Sequence, residues 1–272
     1  MRKMRAVLVA VATLSVAFAA CGKSKSHDNE LVIGSDIEYA PIEFYKEGTE
    51  VAQGVDIDLG TALAKQLGKK VKFVNDTDFA GIISALDNGR FDIVMSAMSD
   101  TAERQKKVDF VDYFQAGSSI LVQKGNPKAI KSIDDLCGQS VAVQKGTIQD
   151  TDILTPQIAK CGSKTLNVLR FEKDTDALQQ VKLGRAVANM EDFPVAAYNA
   201  QTSGDGNDFE VVGQQVGAGP YGIAVPKTDT KLRDQLKAAL QQLIDNGDYG
   251  RILAKWNVSA GAVTSAELNG GS

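Results

Sequence analysis

Histidine is almost missing from this chain: His27 is alone among 272 residues, and it lies in a polar stretch near the N-terminus. A serine–histidine triad or a histidine-bearing zinc site needs an imidazole in the core, so both are nearly excluded, and neither a catalytic residue nor a metal site is expected. Positive charge is not in excess either. The formal net charge is −4 with the signs mixed along the chain, which leaves no basic patch for a nucleic acid. Beyond residue 20 no apolar run is long enough to span a bilayer. No short-period repeat or low-complexity array occurs. What remains is an ordinary globular composition, 43% hydrophobic and 24% charged, with length enough for two lobes.

The N-terminus reads as a targeting segment. Arg2, Lys3 and Arg5 form a positive region ahead of a short apolar run over residues 6–20. Small residues then precede Cys21 and Gly22, which resembles a bacterial lipobox. There the signal (residues 1–20) is removed and Cys21 becomes a lipidated N-terminus on a polar tether (21–30). An ordinary secretory signal is the plainer alternative. The other two cysteines, Cys137 and Cys161, flank one predicted strand–helix unit at the same end. An even count in an exported chain permits a disulfide, and a structural Cys137–Cys161 bridge is expected.

The chain is organised around residues 91–110, FDIVMSAMSDTAERQKKVDF. A short apolar strand runs into Ser96, Ala97 and Ser99. A helix-opening pattern, Thr101-Ala102-Glu103-Arg104, follows. An arginine one turn beyond a strand's polar tip is suited to a carboxylate, because its planar fork of donors matches two oxygens. Read alone, Arg104 could equally pair with Asp100 or Glu103. Around this stretch the β-α-β-α-β pattern occurs twice, so two mostly parallel sheets with right-handed crossovers are expected. Residues 118–123 read as a strand crossing between lobes, and Gly217-Ala218-Gly219-Pro220 as a bent second hinge. Asp56 and Asp58 look like a metal pair, but acids at a helix N-terminus are expected as caps and dipole partners.

Taken together the motifs resemble the extracytoplasmic polar-amino-acid-binding proteins of ABC importers. The resemblance spans roughly residues 30–258. It rests on Gly54-Val55-Asp56-Ile57-Asp58-Leu59, Asp78-Phe79-Ala80-Gly81, Thr101-Ala102-Glu103-Arg104, Gln144-Lys145-Gly146-Thr147, Met190-Glu191-Asp192 and Tyr221-Gly222-Ile223-Ala224-Val225-Pro226. It implies a two-lobed α/β periplasmic-binding-protein fold with lobe 1 at 31–118 and 220–258, lobe 2 at 119–219, and a polar tail at 259–272. It also implies a ligand site. Arg104 would hold the α-carboxylate with Ser99, Ala97, Ile148 and Thr147. Asp192, with Ser99 and Ala97, would hold the α-ammonium. Asp36, Tyr39, Phe79, Gln144 and Glu191 would read the side chain.

One acid from each lobe with an amide beside it favours glutamine, arginine, lysine or histidine as ligand. No cofactor is implied. The partners implied are a free amino acid, the transmembrane subunits of an ABC permease and a membrane reached through Cys21, with the protein acting as a monomer outside the cell. Two other readings compete: a dehydratase of cyclic precursors on the same fold, with Glu191 as its proton donor, and a sensor lipoprotein that binds without transport. The anchor reading is checked by fractionation. Cys21→Ser is expected to move the protein from the membrane fraction to the soluble exported fraction.

Overall fold

The computed structural model describes residues 29–272, so the expected leader and the lipidation at Cys21 lie outside the described residues. In chain order the strands and helices are β1 (Glu30–Gly34), β2 (Phe44–Tyr45), β3 (Ala52–Gln53), α1 (Val55–Gln66), β4 (Lys70–Val74), α2 (Ile82–Asp87), β5 (Ile93–Val94), α3 (Ala102–Gln105) and β6 (Val108–Gln123). There follow β7 (Ser140–Gln144), α4 (Thr155–Lys160), β8 (Asn167–Phe171), α5 (Asp174–Lys182), β9 (Ala188–Asp192), α6 (Phe193–Thr202), β10 (Phe209–Pro226), α7 (Thr230–Asp245), α8 (Asp248–Lys255) and β11 (Glu267–Leu268). No helix among the described residues is long and apolar enough to cross a membrane.

The molecule is two-lobed. In the first lobe β1 lies parallel between β4 and β5; in the second β7 lies parallel between β8 and β9. Both lobes thus repeat one plan, with the middle strand first in sequence. Their strands are apolar on both faces because helices cover both. On β1, Leu31 and Ile33 pack against α1 and α7 residues such as Leu59, Leu63 and Leu236, while Val32 packs on the other face with Ile82 and Leu86. On β7, Val141 and Val143 face one core and Ala142 the other. Such runs are what buried parallel strands require.

Two long antiparallel strands, β6 and β10, run through both lobes and join them. Residues 209–226 contain the bent hinge expected at 217–220. They form one strand whose pairing with β6 slips between Val212 and Val216, between Val216 and Gly219, and again at Tyr221–Gly222. The slips are β-bulges, which bend a strand without ending it. Gly213 and Gly217 supply the positive φ such irregularities need.

Asp56 does not cap its helix. It is fully buried in the first turn of α1, where it accepts from the Tyr113 hydroxyl (2.7 Å) and the Ala97 amide (3.0 Å). Asp58 instead meets Lys255 and the Trp256 indole N–H. Residues 259–272, expected as a tail, are seated on the first lobe. β11 pairs antiparallel with β6 at Val111 and Asp112, and the Gly271 amide donates to Asp100 (2.9 Å).

The expected disulfide is present, with Cys137 and Cys161 Cα atoms 5.3 Å apart across a sequence separation of 24. Replacing both by serine is expected to cost about 3 kcal/mol, the loop entropy of a closure this size. At about 2–4 °C per kcal/mol the loss should be plain in a thermal melt, and reductant should reproduce it in the unsubstituted protein.

Candidate functional site

The C-terminal tips of the parallel strands from both lobes converge on one cleft, the position at which open α/β sheets hold ligands. β1 delivers Asp36, β5 delivers Ser96, Ala97 and Ser99, β7 delivers Gln144 and Thr147, and β9 delivers Asp192. Both lobes line this one narrow cleft. Every sequence-expected contact residue lines it except Glu191.

One end is positive. Thr101 caps the short helix α3 by accepting from the Arg104 amide at 3.3 Å, which aims the arginine side chain into the cleft. Its Nη1 donates to the Ser99 carbonyl (2.8 Å), and its Nη2 crosses to the Gly146 carbonyl of the other lobe (3.1 Å). The Phe79 ring lies 5.3 Å beneath the guanidinium. No carboxylate pairs with Arg104 among the described residues: Glu103 takes Lys106, while Asp100 takes Gln105 and Gly271. Burial pushes its pKa down to about 10, against the weaker pull of Asp152, Asp192 and Asp100. Gly146 is required here. Its φ is +78°, and a Cβ would sit 2.9 Å from that of Ala80 across the cleft. Thr147 turns its hydroxyl back to the Gln144 carbonyl (2.8 Å), fixing the loop that carries Ile148. The Ala97 amide is already engaged by Asp56, so only its carbonyl is left for the ligand role the resemblance implies.

Much of the remaining lining is acidic. Asp192 precedes α6 but makes no side-chain cap bond; its carboxylate faces the cleft. It accepts from Gln149 Nε2 (2.8 Å) and from the Tyr39 hydroxyl (3.2 Å), which in turn accepts from the Asp192 amide (2.8 Å). Asp36 accepts from Gln144 Nε2 at 2.7 Å. Burial is the main cause raising both carboxyls to about 6, with hydrogen-bond donors pulling the other way. Ser96 ties the floor together, accepting from the Asp36 amide and donating to Glu43 Oε1, both at 3.0 Å. Burial also drives Glu43 well above the usual carboxyl range, and the nearby Asp56 adds to the shift.

Glu191 stands behind the cavity wall, 1% exposed, accepting from Asn189 (3.0 Å) and Asn199 (3.1 Å). The acid that lines the cavity beside Asp192 is Asp174, the first residue of α5. Sequence reasoning missed it because an acid in a charged run before a helix reads as a dipole partner. It also missed Gln149, whose type carries no chemical signature, and Glu43, which lies in a loop. The lobes meet through further contacts at the cleft mouth: Lys173 and Thr175 of the second lobe both reach Glu38 of the first. One guanidinium and several carboxyl groups thus line a single cleft, which complements a molecule carrying a carboxylate and at least one cation.

Known proteins with this architecture carry the same kind of description. The family model for bacterial extracellular solute-binding proteins, family 3, matches residues 31–259. The arginine-binding extracellular protein ArtP of Bacillus subtilis is 34% identical, over 94% of this chain and 98% of that protein. The arginine-binding protein ArgT of Corynebacterium glutamicum is also 34% identical, over 88% and 78% respectively. Among solved structures, an ancestral arginine-binding protein bound to arginine superposes with a TM-score of 0.77 at 37% identity, covering 84% of this chain and 98% of that one. An ancestral amino-acid-binding protein described as a precursor of cyclohexadienyl dehydratase superposes at 0.74 and 40% identity, covering 84% and 95%. On its sequence match, its two-lobed fold and its cleft, the chain belongs to the bacterial extracellular solute-binding proteins of family 3.

Proposed function

We propose that this protein captures a cationic or polar amino acid, arginine foremost, between its two lobes and presents the closed form to an ABC permease. The observation that carries the reading is the charge balance of one cleft: among the described residues Arg104 pairs with no carboxylate, while Asp192, Asp36 and Asp174 line the same space. In this reading the α-carboxylate is the missing partner of Arg104, joined by Ser99 and by the loop at Thr147 and Ile148. Asp192 takes the α-ammonium, with the Ser99 hydroxyl and the Ala97 carbonyl. Tyr39 and Phe79 flank the side chain, and Asp36 with Gln144 meets its polar end. A ligand bonded to both lobes stabilises the closed state by its differential affinity for it. The arginine-binding relatives support this order of preference, and a glutamine-binding relative keeps glutamine within it.

The protein acts as a monomer, held to the outside of the membrane by lipid at Cys21. Binding rather than turnover is favoured because Glu191, the proton donor a dehydratase would use here, is turned away from the cavity. Prephenate should therefore be returned unchanged.

The test is a thermal-shift panel of the common amino acids on protein stripped of ligand by unfolding and refolding. A ligand at a thousand times its Kd stabilises by about 4 kcal/mol. Arginine is expected to give the largest shift, and no shift from any amino acid would refute the reading. Arg104→Ala should cost on the order of 3–5 kcal/mol of binding, several hundredfold or more in Kd, because it leaves a buried carboxylate unpaired.

The pH dependence has a definite sign. Asp36 and Asp192 are raised to about 6 in the folded protein, so they hold protons there that the unfolded chain has released. Their contribution to the stability of the ligand-free protein is full below pH about 4 and is lost as pH rises through about 6. A cationic ligand needs both ionised and restores that loss. Arginine affinity, measured by titration calorimetry, should weaken about tenfold per titrating carboxyl for each pH unit below 6 and level off above 7.

A further inference from the structure

The second lobe holds two acids close to the ligand space, and they are not equivalent. Asp174 lines the cavity, 3% exposed; Glu191 does not. A single amide group ties them together: Asn189 Nδ2 donates to Asp174 Oδ1 at 3.1 Å and to Glu191 Oε2 at 3.0 Å. Both carboxyl groups thus hang on one nitrogen, at 3.1 and 3.0 Å. Burial raises the carboxyl pKa of both, and two ionised carboxylates repel in so dry a site, so the pair favours holding a single negative charge.

The surroundings decide which member carries that charge. Asp174 opens α5, a nine-residue helix whose N-terminal dipole favours an anion there. Glu191 lies on a strand, with no cationic group on its partners, and burial together with the nearby Asp174 drives it well above the usual carboxyl range. Lys173, next to Asp174 in sequence, turns outward to Glu38 and leaves the Asp174 charge unneutralised.

We propose that Asp174, and not Glu191, is the carboxylate by which lobe two reads the cationic end of the ligand's side chain, with Glu191 positioning it from behind. This rests on the amino-acid-binding reading and deepens it. Asp36 from the first lobe and Asp174 from the second then close on a delocalised cation from both sides. A neutral side chain of the same shape gains little from the second acid.

The experiment compares L-arginine with L-citrulline, its neutral near-isostere, by titration calorimetry on the refolded protein. The unsubstituted protein should prefer arginine on the order of a hundredfold, the scale of a desolvated charge pair. Asp174→Asn should collapse that ratio to within about threefold, mainly through arginine. Glu191→Gln, which keeps an acceptor toward Asn199 and a donor toward Asp174 but gives up the bond from Asn189, should retain most of the preference, whereas Glu191→Ala should lose at least about tenfold of it. The Glu191 pair carries the test if Asp174→Asn does not fold. An unchanged ratio in Asp174→Asn, or equal ratios in the two Glu191 variants, overturns the proposal. If that happens while Arg104→Ala still abolishes binding of both ligands, the amino-acid reading stands without it. If the unsubstituted protein binds neither ligand, both fall together.

Discussion

A half-buried arginine that pairs with no carboxylate among the described residues sets the terms for the rest of the cleft. Removing such a charge from water costs several kcal/mol unless partners replace the hydration. Arg104 finds two carbonyls, one in each lobe, and an aromatic face. Carbonyl dipoles solvate a cation but do not neutralise it, so the site is biased toward an anion that does. Because one carbonyl belongs to Gly146, the same side chain that prepares the anion site also senses whether the lobes are together. Electrostatics and closure are coupled at one residue.

The acids opposite are managed differently in each lobe. In the first, Glu43 and Asp56 share a floor with Ser96 and Tyr113; in the second, Asp174 and Glu191 share Asn189. Burial raises the carboxyl pKa of both members of each pair, which favours protonation and limits the negative charge that the cleft accumulates. Acids held in place by hydrogen bonds are what allow a cleft to discriminate between ligands of similar shape.

Much of this could be read from the chain itself, and the parts that could not share a cause. The repeated β-α-β-α-β plan was legible because strands buried on both faces are continuous apolar runs ended by glycine or polar tips. Arg104, Asp36 and Asp192 were legible because they stand at those tips. Long-range pairing was not. Residues 209–226 carry glycines and a proline that locally argue for a break, and only the ladder with β6 holds them as one bulged strand. Asp56 has the local marks of a cap, but Tyr113, far along the chain, claims it. Glu191 and Asp192 are neighbours, yet strand alternation sends their side chains to opposite faces, and a sequence motif does not say which face meets the cleft.

The seating of β11 on β6 has a practical side. The match to the family ends at residue 259, and the residues beyond it are joined to the first lobe by strand pairing and by the bonds of Gly270 and Gly271 to Asp112 and Asp100. A fluorescent label fused after Ser272 would therefore ride rigidly with the first lobe. A second label in the exposed turn around Gly204 and Asp205 would ride with the other. The distance between two dyes would then report the angle between the lobes, turning the protein into an optical gauge of its own closure.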